Sequence, residues 1–119
     1  MMNDRVRAEL RSLMSIYVDL ETFAPRVPFG IPVTALVGPV NGPGEETFDF
    51  TLCTTEWFAE NMDAPFVQGR HYLFTKRYDY AALERYVRDY CAACEGENWA
   101  EVGLKLGRLG HWEFEDYRP

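Results

Sequence analysis

The chain has 119 residues, 47% of them hydrophobic and 15% aromatic, with 12 Lys and Arg against 19 Asp and Glu and a formal charge of −7. That length fits a single domain spanning residues 1–119, and that apolar content builds a core without disulfides or metal, which excludes a disordered chain. The acidity excludes direct binding to nucleic acid or to an anionic membrane surface, since both need clustered cations, and favours a cationic partner.

The charge is unevenly placed. Residues 27–69 hold six acids (Glu45, Glu46, Asp49, Glu56, Glu60, Asp63) and no Lys or Arg. Residues 70–94 hold five bases against three acids, and residues 95–119 hold six acids against three bases. Either these are ordinary solvated faces, or two acidic stretches converge on one face.

At the N-terminus, Asp4, Arg5, Arg7, Glu9 and Arg11 leave no apolar stretch of the secretory kind. Residues 27–44 are uncharged but broken by Pro28, Gly30, Pro32, Gly38, Pro39, Gly42, Pro43 and Gly44, so they cannot form a spanning helix. The expected location is the cytoplasm. Reduced thiols are expected at Cys53, Cys91 and Cys94, an odd set. Cys91 and Cys94 form a CxxC, but it closes a helical pattern, the wrong pole for lowering a thiol pKa. Zinc would need two more ligands from Cys53, His71 and His111, and no second paired motif supplies them. All three cysteines are read as small buried hydrophobes, and no metal or cofactor is expected.

In chain order, Arg5 to Arg11 alternates charged and apolar, which predicts a strand with Val6, Ala8 and Leu10 on one face. Residues 17–30 read as a connector holding one helical turn. Ile31 to Val37 reads as a second strand, and Phe48, Phe50 and Leu52 mark a third. The Gly- and Pro-rich segment 38–44 joins these two as a hairpin. Thr54 or Thr55 caps a short helix through Asn61, with Glu56 in its first turn and Trp57 and Phe58 as anchors. His71 to Thr75, apolar on both faces, predicts a central strand. Asp79 caps a helix whose stripe is Tyr80, Leu83, Val87, Tyr90/Cys91 and Cys94, with Gly96 beyond its end. Asn98 and Glu101 resemble a capping box for a helix lined by Trp99, Val102 and Leu106 and stopped by Gly107 and Gly110. His111 to Tyr117 alternates again, with Trp112 and Phe114 predicted inward and Glu113 and Glu115 outward. The fold class is α+β: about five strands, mostly antiparallel, with two or three helices, the late ones packed on one face.

Catalytic residues are scarce. The chain has no GxSxG, phosphate-binding loop, GxGxxG, HExxH or EF-hand pattern. His71 and His111 are the only general-base candidates near neutral pH, and they read as a structural histidine in an apolar strand and a turn residue at a strand start. Glu113 and Glu115 could act as acid and base, but like charges on a wet strand face explain them better. The chain is not expected to be an enzyme.

Three ordered stretches carry a resemblance. They are Gly44 to Trp57, with its FDF-x-x-CT-x-x-W junction; Gly69 to Phe74 with the Tyr78-Asp79-Tyr80 helix start; and Trp99 to Val102 with the Trp112 to Tyr117 end, WEFEDY. Together, over roughly residues 31–117, they resemble the immunity protein 8 family of bacterial polymorphic-toxin systems. The resemblance implies a cytoplasmic inhibitor that binds a co-encoded toxin domain and protects the producing cell. It implies no toxin identity, interface or catalytic residue.

A toxin that cuts nucleic acid presents cations to phosphate, and an acidic inhibitor can occupy that surface. The expected toxin-binding residues are therefore Glu45, Glu46, Asp49, Glu56, Glu60, Asp63, Glu113, Glu115 and Asp116, facing a cognate toxin domain such as a cationic nuclease. The protein itself is expected to be a monomer or homodimer with no nucleic-acid or membrane partner. The competing readings are a structural or oligomerisation module and a small metal-dependent hydrolase built on His71 or His111.

Overall fold

A computed structural model describes residues 5–26 and 28–116; Asp4 and Tyr117, which closes the predicted last strand, lie outside them. The elements run β1 (Val6–Met14), β2 (Gly30–Pro39), β3 (Glu46–Cys53), α1 (Thr55–Asn61), β4 (Tyr72–Phe74), α2 (Tyr80–Ala92), β5 (Glu95–Gly96), α3 (Trp99–Leu106) and β6 (His111–Trp112). The sheet order is β4-β3-β2-β1-β5, with β6 also on β3. Every pairing is antiparallel except β3 with β4. The class is α+β, as the sequence predicts.

Alternation decides which side of the sheet is dry. Ile31, Val33, Ala35 and Val37 of β2 and Phe48, Phe50 and Leu52 of β3 are buried on one face. On β1, Ala8 and Leu10 join them. A one-residue bulge between Leu10 and Ser12 resets the register, so that Leu13 stays opposite Ala35 on the core side. The displaced Arg11 donates to the carbonyls of Pro39 (2.7 Å) and Gly42 (3.0 Å), which ties the hairpin turn back to β1. Leu83, Val87 and Cys91 of α2 and Val102 and Leu106 of α3 close the core over this face. Both helices are capped as their sequences specify: Asp79 accepts from the Ala82 N–H at 3.1 Å and Asn98 from the Glu101 N–H at 2.9 Å. Glu101 reaches the Glu97 N–H instead of the cap residue's own, so the box is displaced by one residue.

The helix α1 takes the opposite face. Its cap is Thr54, whose hydroxyl accepts from the Trp57 N–H. Trp57 lies flat where a Cβ on Gly30 would sit, so only glycine admits it there. Phe58 packs edge-on against Tyr72 and Phe74, the β4 residues on that same outer side.

Three expectations are corrected. The 71–75 segment is a three-residue edge strand, not a central one: β4 pairs with β3 alone, and Phe58 covers its outer face only in part, leaving Phe74 exposed. His71 stands outside that strand with φ 68°. Gly96 does not stop α2, which ends at Ala92; it forms with Glu95 the short strand β5 opposite Val6 and Arg7. The C-terminal alternation pairs for only two residues. Glu113 takes the next rung itself, its carboxylate accepting from the Thr47 N–H at 2.9 Å. Phe114 is exposed, while Glu115, predicted outward, is the more covered of the two. No helix among the described residues is long and apolar enough to cross a membrane.

Gly103 of α3 sits against the Trp112 indole, where a Cβ would come within 2.6 Å of the ring. Gly103→Val should therefore cost about 1–3 kcal/mol through overpacking. Calorimetry should show a melting temperature lowered by roughly 5–15 °C.

Candidate functional site

The nine predicted carboxylates do not form one patch, because β3 separates them. Glu45 precedes that strand and Glu46 begins it, and α1, carrying Glu56 and Glu60, follows its far end after Thr54. Eight residues of strand span about 26 Å. Glu113 joins the first group through Thr47, and Asp63 follows α1 at the far end. Asp49 lies between them, opposite His111 on β6.

Four of the nine are engaged within the fold. Continuing the β3 alternation backward from Phe48 puts Glu46 on the core side. There its Oε1 accepts both indole N–H groups, from Trp99 at 2.6 Å and from Trp112 at 2.9 Å. Asp49 accepts from the Thr34 hydroxyl at 2.6 Å. Glu113 holds Thr47, and Glu115 accepts from Arg70 at 2.7 Å. The other five (Glu45, Glu56, Glu60, Asp63 and Asp116) are exposed and form no ion pair among the described residues. These five are the carboxylates free to meet a partner.

The candidates for chemistry are occupied or buried. The Nε2 of His71 lies 2.6 Å from the Gly107 carbonyl oxygen, which can only accept, so the proton sits on Nε2 and His71 is the donor. Its ring is edge-on to His111 with centroids 5.9 Å apart. Cys53, Cys91 and Cys94 are all buried free thiols. Burial, reinforced by Cys94 next to it, pushes the Cys91 thiol up to about 12, the opposite of what a nucleophile needs. No group of three or more His, Cys, Asp or Glu among the described residues could hold a metal ion. A cleft of about 180 Å³ between β4 and the start of α2 is lined mostly by Leu52, Leu73, Tyr78, Leu83 and Tyr86. It is below the roughly 300 Å³ at which small-molecule sites begin.

What the composition does not single out is a bare apolar surface. Every residue from Asn61 to Arg70 is exposed, among them Met62, Phe66 and Val67, and Phe66 is 93% accessible. The available signal is punctuation: Phe66 lies between Pro65 and Gly69, and Pro65 breaks the short alternation of Met62, Ala64 and Phe66.

The sequence model of the immunity protein 8 family matches residues 8–117. No curated protein and no solved structure matches the chain.

Two outcomes follow from the site's geometry. Glu46→Ala leaves two largely buried indole N–H groups unpaired and should cost about 1–3 kcal/mol in urea unfolding, with an altered tryptophan emission. Glu46→Gln keeps a carbonyl acceptor and should restore most of that. Alkaline stability depends on Cys91 and on Tyr78, whose hydroxyl donates to Leu20 O at 2.6 Å and is pushed up to about 12, first by burial and then by Tyr80, Asp19 and Asp79. The unfolded chain releases these protons near 9.0 and 10.0 and the folded chain near 12. Their contribution is thus full below pH 9 and is lost between pH 9 and 12, which urea midpoints at pH 8, 9.5 and 11 should reveal as a progressive fall.

Proposed function

Because the chain belongs to the immunity protein 8 family, we propose that it binds and neutralises a cognate bacterial toxin domain in the cytoplasm of the cell that makes both. The observation that carries this reading is the family match over residues 8–117. Immunity proteins act as inhibitors and not as enzymes.

The acidic surface supports a finer reading. Residues 28–69 carry six acids and no base, and the five carboxylates without internal ion partners give the molecule an outward negative field. Such a field steers a cationic partner and speeds encounter more than it tightens the complex. A toxin with a phosphate-binding surface, such as a nuclease, fits that field. Glu46, Asp49, Glu113 and Glu115 contribute to the field while holding the fold, and the five free carboxylates are the ones able to pair across an interface.

The test is co-expression with the toxin domain encoded beside this gene, followed by association kinetics on the purified pair. The chain should restore growth of cells making the toxin. Its association rate should fall at least tenfold between low salt and about 0.5 M, because exposed charges are screened within a few ångströms there. Cells that die despite soluble expression of the chain would overturn the immunity reading. A salt-independent rate would overturn the acidic one alone.

A further inference from the structure

The strand directions gather much of the exposed apolar surface at one end of the molecule. Both β1 and β3 run antiparallel to β2, and β4 runs parallel to β3, so the C-terminal ends of all three lie at the same end of the sheet. Ile16 and Tyr17, just past β1, are 73% and 74% exposed, and Phe74 closes β4. The ten exposed residues 61–70 leave α1 at this end, carrying Met62, Phe66 and Val67. Met62 and Val67 flank a shallow hollow of about 110 Å³ floored by Trp57, Phe58 and Tyr72, so aromatic side chains support the segment from below. Phe66 makes no ring contact among the described residues.

We propose that the segment Met62–Val67, with Phe66 as its anchor, is the surface that docks on the toxin domain. This rests on the immunity reading and locates its interface. An aromatic ring left this exposed gains when a partner desolvates it, and interface cores are enriched in aromatic residues. The charge around it selects the occupant. Asp63 lies in the segment and Glu56 and Glu60 on the helix leading into it, while Arg70 closes the ten exposed residues and Lys76 and Arg77 follow Phe74. A second copy of the chain docking through the same patch would bring these acids against themselves. A protein with an apolar pocket rimmed by Lys or Arg pairs with them instead.

The experiment measures binding of the toxin domain encoded beside this gene to wild type and three variants, each checked for unchanged thermal unfolding. Phe66→Ala should weaken the complex at least tenfold, mainly through faster dissociation. Glu56→Lys/Glu60→Lys/Asp63→Lys should slow association at least tenfold. Glu97→Lys, at the opposite end of the sheet, should change affinity less than threefold. If wild type binds and the first two variants bind equally well, this surface is not the interface, while the immunity reading stands. If Phe66→Ala instead abolishes a dimer seen by analytical ultracentrifugation and leaves toxin binding intact, the patch joins two copies and the inference falls. If wild type neither binds nor protects, the immunity reading fails and this inference with it.

Discussion

One carboxylate oxygen holds the closing elements of this fold to strand β3. Glu46 Oε1 receives both Trp99, the first residue of α3, and Trp112, the last residue of β6. Trp112 then stacks on Phe48 with planes 8° apart and fills the space beside Gly103. The stretch from Trp99 to Trp112 is thus seated by two indole N–H groups sharing one acceptor, the kind of charge-assisted bond that is stronger than a neutral one. Without it, α3 and β6 keep their apolar contacts but lose the polar lock that fixes where those contacts form.

The arrangement changes how the chain's acidity is understood. Counted along the sequence, the acids mark two negative stretches without saying what each carboxylate touches. Placed on β3 and its neighbours, they divide by role. Glu46, Glu113 and Asp49 satisfy donors of the sheet and of the aromatic core, and Glu115 holds Arg70. Glu45, Glu56, Glu60, Asp63 and Asp116 face water. Exchanging the first group disturbs the fold, whereas the second group forms no ion pair among the described residues.

The helix starts were legible because capping is local chemistry: Thr54, Asp79 and Asn98 each accept an N–H within three residues, so no distant contact is needed to foresee them. The hairpin of β2 and β3 was equally plain from its alternation and its Gly- and Pro-rich turn. The misreadings share a cause, which is that non-local partners replace the usual neighbour. Tyr72 to Phe74 look central because a seven-residue helix, not another strand, packs Phe58 against their outer side. Residues 113–117 alternate like a strand, but a side chain supplies the rung after Trp112 and Asp116 turns the backbone away at φ 64°. β5 spans two residues, too few for any periodic signal. Within the candidate site, Glu46 could have been placed inward by extending the β3 period one step. The exposure of Phe66 had only its flanking Pro65 and Gly69 as a cue, since the short alternation before it points to a strand.

The bulge at Arg11 bears on how the protein avoids its own kind. Along β1, the edge away from β2 is covered by a strand only at Val6 and Arg7, and such an edge invites a neighbour's backbone to add on. The extra residue bends the strand just beyond that cover, and Glu9 and Arg11 flank the bend as an ion pair at 3.4 Å. A second sheet laid along this edge would meet a kinked ladder and charged side chains. The chain thereby resists growth by strand addition while leaving a greasy, acid-bordered loop open elsewhere.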